Sequence, residues 1–209
     1  MIDRVLESLN ISGRIILILS GKIVDISEEL QEELENIRNK YKDIIFLKSY
    51  EKLEGAAKSC LKAKDIMKGG EELIVMYCDQ IFNYNSEDFL NYARDNRYDG
   101  LISTYKNDEP KDDFLICDEQ KNLIQLVPKK VVSDIATVGM YYWRDNKLFF
   151  EGMKSMISKN IKFNNEYYVG PIFNENVTKG YKVSYFDINV HQVGNPEDYE
   201  KYIQYLNKK

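Results

Sequence analysis

The chain has 209 residues, 44% of them hydrophobic, which suits one sizeable domain with a real core. Its 29 basic and 34 acidic residues are interspersed and sum to −5, unlike the basic footprint of a protein whose main partner is nucleic acid. A single His excludes a His-rich zinc centre, and the widely spaced Cys60, Cys78 and Cys117 argue against a CxxC metal site or a disulfide framework and fit a reducing compartment.

"MIDRVLESL" carries apolar residues at helical spacing and predicts a short amphipathic helix. With no basic leader and no long apolar run, a signal peptide or membrane span is not expected, and the reading is a cytoplasmic protein. "GRIILILSG" reads as a buried strand bounded by glycines. "SEELQEELENIRNKY" predicts a helix capped by Ser27 with acids in its first turn. "DIIFLKS" predicts a strand, "GAAKSCLKAKDIM" a helix, "ELIVMYC" a strand, "SEDFLNYARDN" a helix capped by Ser86, and "GLISTYK" a strand. This βαβαβαβ alternation implies a mainly parallel sheet.

After Lys106 the pattern turns irregular. "DDFLICDEQKNLIQLVPK" predicts two short strands around a polar turn, and "SDIATVGMYYWR" another strand. Helices are expected over "KLFFEGMKSMISKN" and "EYYVGPIFNENVTKG", a strand over "YKVSYFDINV", and a terminal helix with Asn195 at its cap and Pro196 at N1. No internal repeat or linker interrupts the chain, so one α/β domain over 1–209 is expected.

One residue stands out. Asp79 follows the apolar run "ELIVMYC", at the carboxyl end of a predicted buried strand. A strand-end Asp is a common turn residue. It also sits where ligands of open α/β sheets bind, and there a carboxylate can hold a divalent cation against phosphate oxygens.

Six segments, in order and spacing, decide between the two readings: "LEGAAKSCLKAKD", "VMYCDQIFNY", "YDGLISTY", "PKKVVSDIATVGMYYWRD", "NNEYYVGPIFN" and "VGNPEDYEKYI". Together they resemble the sugar-phosphate nucleotidyltransferase family, nearest to members of capsule or polysaccharide biosynthesis. The resemblance runs through nearly the whole chain. It implies an α/β, Rossmann-like glycosyltransferase-A fold, a mainly parallel mixed sheet with helices on both faces. It also implies transfer of a nucleotidyl group from a nucleoside triphosphate to a sugar phosphate or related phosphomonoester.

By that resemblance Asp79 matches the strand-end aspartate that binds magnesium, and Gly55, Ala56 and Ala57 match the turn near the nucleobase. Lys129 matches a lysine facing the sugar phosphate, while Pro128 stands where its glutamate partner belongs. Gly139 matches a glycine under the sugar, and Glu166 a glutamate that reads sugar hydroxyls. Asp79, Lys129 and Glu166 are expected to line one pocket. Unaided, Gly55 reads as a strand–helix corner, Gly139 as a strand irregularity and Glu166 as a helix N-terminal acid. Gln192 occupies the position of a second magnesium ligand, with Asp187 and His191 as nearby candidates.

The family begins with a strand and a G-x-G-x-R turn that cradles the triphosphate, and no such motif occurs in these 209 residues. An exposed sheet edge and little or no pyrophosphorylase activity are therefore expected. Two other functions stay open: a non-catalytic nucleotide-sugar-binding or partner-binding protein, and a glycosyltransferase of the same fold, although "YCDQ" lacks that group's D-x-D. Expected ligands are Mg2+ and a nucleotide with a sugar phosphate, or a nucleotide-sugar. Neither nucleic acid nor membrane is expected as a partner, and a homo-oligomer is left open.

Overall fold

Apolar runs fold as strands and amphipathic stretches as helices across residues 1–208, which the computed structural model describes. In chain order the elements are α1 (Ile2–Leu9), β1 (Ile15–Ser20), α2 (Gly21–Ile26), α3 (Glu28–Lys40), β2 (Ile44–Ser49) and α4 (Ala56–Cys60), which runs into a 3-10 turn over Leu61–Ile66. There follow β3 (Leu73–Met76), β4 (Gln80–Asn83), α5 (Ser86–Asp95), β5 (Gly100–Lys106), β6 (Asp113–Cys117), β7 (Leu123–Pro128) and β8 (Ile135–Trp143). The last elements are α6 (Asn146–Ser158), α7 (Ile172–Thr178), β9 (Val183–Asp187), β10 (Asn189–Gln192) and α8 (Pro196–Leu206). They form two compact units: Ile11–Lys68 with Lys162–Tyr168, and the remainder of the described chain.

In the smaller unit β1 and β2 pair in parallel, from Ile15 opposite Ile44 to Ser20 opposite Ser49. Ser27 caps α3 as expected, its hydroxyl accepting the Leu30 N–H at 3.2 Å. Leu34 and Ile37 form the buried stripe of that helix. The loop after β2 returns as α4, and the backbone of Tyr167 closes on it: the Tyr167 N–H donates to the Glu54 carbonyl at 2.8 Å, and the Ala57 N–H donates to the Tyr167 carbonyl at 3.1 Å.

The larger unit is built around β8, whose residues from Ala136 to Trp143 are all buried. β5 lies antiparallel along one edge, and β9 extends the sheet beyond β5 in parallel. The other edge is shared. β3 pairs antiparallel with Met140–Trp143, while β6 meets the start of the strand through Phe114 and Ala136, with β7 beyond it. β4 and β10 form a separate antiparallel ribbon. Trp143 anchors the core: its ring stacks on Phe173 with centroids 4.3 Å apart, and its indole N–H donates to Asn176 Oδ1 at 3.0 Å.

The α/β class and the mixed sheet hold, and several local expectations need correction. β3 is antiparallel to its neighbour rather than a parallel continuation. The run after Asp79 forms a strand of its own, β4, and "YKVSYFDINV" splits at Ile188 into β9 and β10. Asn85 rather than Ser86 caps α5, accepting from the Glu87 and Asp88 N–H groups, while the Ser86 hydroxyl donates to the Asn10 carbonyl at 2.7 Å. "EYYV" is not helical: Glu166 lies in a short bridge with Phe163, and α7 begins only at Ile172. The helix expected over "GAAKSCLKAKDIM" tightens into 3-10 geometry after Cys60, and Gly21–Ile26 forms a helix that the sequence pattern does not announce.

Candidate functional site

Two strands share one edge of β8, and one gives way to the other along its length. β3 leaves the edge at Met76 opposite Met140, and β6 takes it over at Phe114 opposite Ala136. Between them stands Gly139 with φ of +64°, a left-handed conformation that favours glycine. Its carbonyl accepts the Tyr77 N–H at 3.0 Å. A Cβ on Gly139 would lie 2.4 Å from Tyr77 Cδ2 and 3.1 Å from Gln80 Oε1, so the Tyr77 ring covers this glycine closely. Both the dihedral and the close approach require glycine here.

Asp79 occupies the turn between β3 and β4, with Cys78 before it, and both are exposed. The Val193 N–H donates to the Asp79 carbonyl at 2.8 Å, and a Cβ on Gly194 would lie 3.1 Å from Asp79 Oδ2. The "QVGNP" segment therefore packs directly against Asp79. Next along the ribbon, Gln192 pairs with Gln80, whose Nε2 donates to Gln192 Oε1 at 3.2 Å. Gln192 thus stands beside Asp79 with its amide oxygen already engaged.

Lys129 ends the β6–β7 hairpin with φ of +53°, uncommon for a side-chain-bearing residue. Its ammonium donates to the Lys111 carbonyl at 2.6 Å and stands 3.4 Å from Asp113 Oδ1. Asp113 opens β6 directly across the hairpin from Pro128, with only 7% of its side chain exposed. Burial pushes its carboxyl pKa up, against the lowering influence of Lys129. Asp113 and Tyr77 both act on the buried Tyr141 hydroxyl, which burial and these neighbours hold well above the usual tyrosine range.

Gly55 and Glu166 meet in the smaller unit. Gly55 has φ of +97°, and a Cβ there would lie 2.6 Å from the Tyr167 carbonyl and 3.1 Å from Glu166 Cβ. Ala56 and Ala57 open α4, and Glu166 is exposed. Lys162 and Lys58 both pair with Glu54 and lie over the Tyr167 ring, and their hydrogen bonds bring the Glu54 carboxyl down to about 2.

The two other metal candidates have occupations of their own. Asp187 Oδ1 accepts the Thr104 hydroxyl at 2.6 Å. His191 packs its ring on Tyr205 with centroids 4.3 Å apart. Both border an open groove of about 710 Å³ at the Asn83–Asn189 end of the ribbon, whereas Asp79 adjoins the Gln80–Gln192 end. No group of three or more His, Cys, Asp or Glu side chains is placed to hold a metal ion among the described residues. No helix among them is long and apolar enough to cross a membrane.

Tyr77, Gln80 and Asp113 were missed in the sequence. Tyr77 and Gln80 flank Asp79 and were visible as neighbours only. Asp113 lies inside the expected hairpin segment, and only the strand register places it opposite Pro128.

The fold has relatives among solved structures. The chain is similar in structure to a nucleoside-diphosphate-sugar pyrophosphorylase from Vibrio cholerae RC9, with a TM-score of 0.79 at 16% identity over 97% of this chain and 86% of that one. It is similar to a UDP-glucose pyrophosphorylase solved with UDP-glucose, with a TM-score of 0.68 at 15% identity, over 100% of this chain and 85% of that one. It is also similar to the inositol-1-phosphate CTP transferase of T. maritima, with a TM-score of 0.71 at 14% identity, over 98% and 80% of the two chains. These likenesses show the Rossmann-like nucleotidyltransferase fold. No curated protein matches the chain in sequence. The nucleotidyl transferase family model matches residues 1–209, and the chain belongs to that family.

Proposed function

We propose that the chain acts in nucleotide-sugar biosynthesis of the polysaccharide type, transferring a nucleotidyl group to a sugar phosphate or related phosphomonoester. The observation that supports this reading is the break on the edge of β8, where Gly139 stands between the ends of β3 and β6. A phosphomonoester oxygen attacks the α-phosphorus of a nucleoside triphosphate, forming one P–O bond as the bond to pyrophosphate breaks. That nucleophile is already ionised near neutral pH, so alignment and charge neutralisation replace a general base. This suits a site without histidine.

Lys129 supplies a positive charge for the phosphate of the acceptor. Gly139 keeps the floor of the break free of a side chain of its own, and the Tyr77 ring lies over it. For the smaller unit taken by itself, the resemblance supports Gly55, Ala56 and Ala57 as a nucleobase turn and Glu166 as an acceptor of a sugar hydroxyl. Asp79 is the carboxylate that would hold a magnesium ion. When bound, the metal would supply charge neutralisation for the phosphates. One nucleotidyltransferase-like domain over 1–209 is the organisation we propose, supported by the unbroken family match.

A second reading has its own support. The neighbour of Asp79 is the amide of Gln192, held by Gln80, rather than a second carboxylate. A nucleotide-sugar-binding protein without turnover would tolerate that exchange. Calorimetry with four nucleoside triphosphates and magnesium tests the shared core of both readings. Asp79→Ala should abolish magnesium-dependent binding with an unchanged circular dichroism spectrum, and unchanged binding would overturn the site. Pyrophosphate release with sugar phosphates then separates enzyme from binder. Little or no release is expected from these 209 residues, which contain no G-x-G-x-R cradle.

A further inference from the structure

The groove of about 710 Å³ at the Asn83–Asn189 end of the β4–β10 ribbon lies within the larger unit and away from Asp79. Asp79 adjoins the opposite end, so the length of the ribbon, about 10 Å at the rise of an antiparallel strand, separates the two places. The volume is that of a small-molecule cleft. Its lining is unusual for a ribbon. Asn is depleted in strands, yet Asn83 and Asn189 stand directly opposite each other, both exposed, and project from the same face. Among the described residues no hydrogen bond engages either carboxamide. Side by side, the two offer a pair of acceptor oxygens and four N–H donors, a set that matches neighbouring hydroxyl groups.

Two rings and two charges complete the lining and decide the class of ligand. Tyr105 commits its hydroxyl to Asp112, so its ring is what it offers the groove. Tyr205 packs on His191 with centroids 4.3 Å apart. Lys106 is paired with Asp134 at 2.5 Å, and Asp187 Oδ1 accepts the Thr104 hydroxyl at 2.6 Å. The cation is thus compensated before any ligand arrives, and the two carboxylates disfavour a phosphate. What fits is a neutral molecule rich in hydroxyl groups, with a C–H face to lay against aromatic carbon. We propose that this groove is a saccharide-binding site, in which Asn83 and Asn189 bind ring hydroxyls and the Tyr105 and Tyr205 rings pack against the sugar. It goes beyond the nucleotidyl-transfer reading and does not depend on it, since a sugar without phosphate should bind here whatever reaction takes place at Asp79.

Maltose, neutral and free of phosphate, is the probe, titrated into the full chain labelled with nitrogen-15. The side-chain amide resonances of Asn83 and Asn189, assigned by their loss in Asn83→Ala and Asn189→Ala, should shift together and saturate. Each substitution should weaken maltose binding about three- to tenfold, the range for one hydrogen bond between neutral groups, as read from the amide that remains. Both side chains are exposed, so truncation spares the fold, and an unchanged circular dichroism spectrum checks this. Uridine triphosphate with magnesium, a ligand of the kind expected at Asp79, should leave the maltose shifts in place. Absence of a saturable shift, or equal maltose affinity in both variants, would overturn the proposal. Displacement of maltose by the nucleotide would overturn it as a separate site. Movement of the same two resonances by glucose 1-phosphate at lower concentration than by maltose would overturn the neutral class and make the groove an anion site.

Discussion

β8 and β1 are both apolar runs, yet their surroundings differ. β8 has neighbours along both edges and buries every residue from Ala136 onward. β1 pairs only with β2, and Ile15–Leu19 remain half-exposed. β3 resembles β1 in this respect: it pairs with β8 along one edge, and Leu73–Met76 are half-exposed. The difference teaches that an apolar run specifies a strand, whereas burial depends on how many strands flank it. Gly139 stands where the neighbours of β8 change over.

The sharpest way to break the comparison is to remove one large side chain from each region. Trp143→Ala deletes a fully buried ring stacked on Phe173 and strands the Asn176 carbonyl oxygen that its indole served. The loss should be about 3–5 kcal/mol, a large share of an ordinary domain's stability. Leu17→Ala on β1 removes a half-buried side chain and should cost about 1 kcal/mol. Urea denaturation followed by far-ultraviolet circular dichroism measures both. Equal losses would show that β1 is as well enclosed as β8.

A second prediction sharpens the contrast within the larger unit. Gly139→Ala must adopt a left-handed conformation and displace the Tyr77 ring, whereas Gly180 has φ of +85° and open space where a Cβ would point, with no atom within 4 Å. Gly180→Ala therefore bears conformational strain alone, about 1 kcal/mol, and Gly139→Ala should exceed it by about 1–2 kcal/mol. Thermal melts of the two variants give the difference. Equal shifts would mean that Tyr77 swings aside freely.

What the sequence made legible follows the same division. The strands of "IILILS", "IIFLKS" and "IATVGMYYW", and the caps at Ser27 and Asn195, could be read because each is a local pattern. Asp79 could be read because a carboxylate ending an apolar strand is itself a local anomaly. Pairing direction could not be read: nothing within "ELIVMYC" says that β3 runs antiparallel to a strand more than 60 residues later. β4 is hidden because only the short turn over Tyr77–Asp79 separates its apolar run from that of β3. Asp113 was hidden for the deepest reason, since its significance lies in the residue across the hairpin.

The smallest expected effect compares two carboxylates, each beside lysine, one in each unit. Asp113 is buried, and desolvation raises its pKa above the ordinary 3.8 despite Lys129. A raised carboxyl favours the fold only while protonated. Its contribution is full below about pH 3.8 and is lost as pH rises through the folded value, so at pH 7 the ionised group is a net burden. Asp113→Asn should therefore melt higher than the parent at pH 7, with the advantage vanishing toward about pH 3. Glu54 is exposed, and Lys162 first and Lys58 second lower its pKa from 4.5 to about 2. Its contribution is full above pH 4.5 and is lost as pH falls toward 2, so Glu54→Gln should melt slightly lower at pH 7 and converge with the parent in acid. Thermal melts from about pH 3 to about pH 8 thus predict opposite signs at neutral pH. A loss of stability in Asp113→Asn at pH 7 would mean that the Lys129 pairing outweighs the burial.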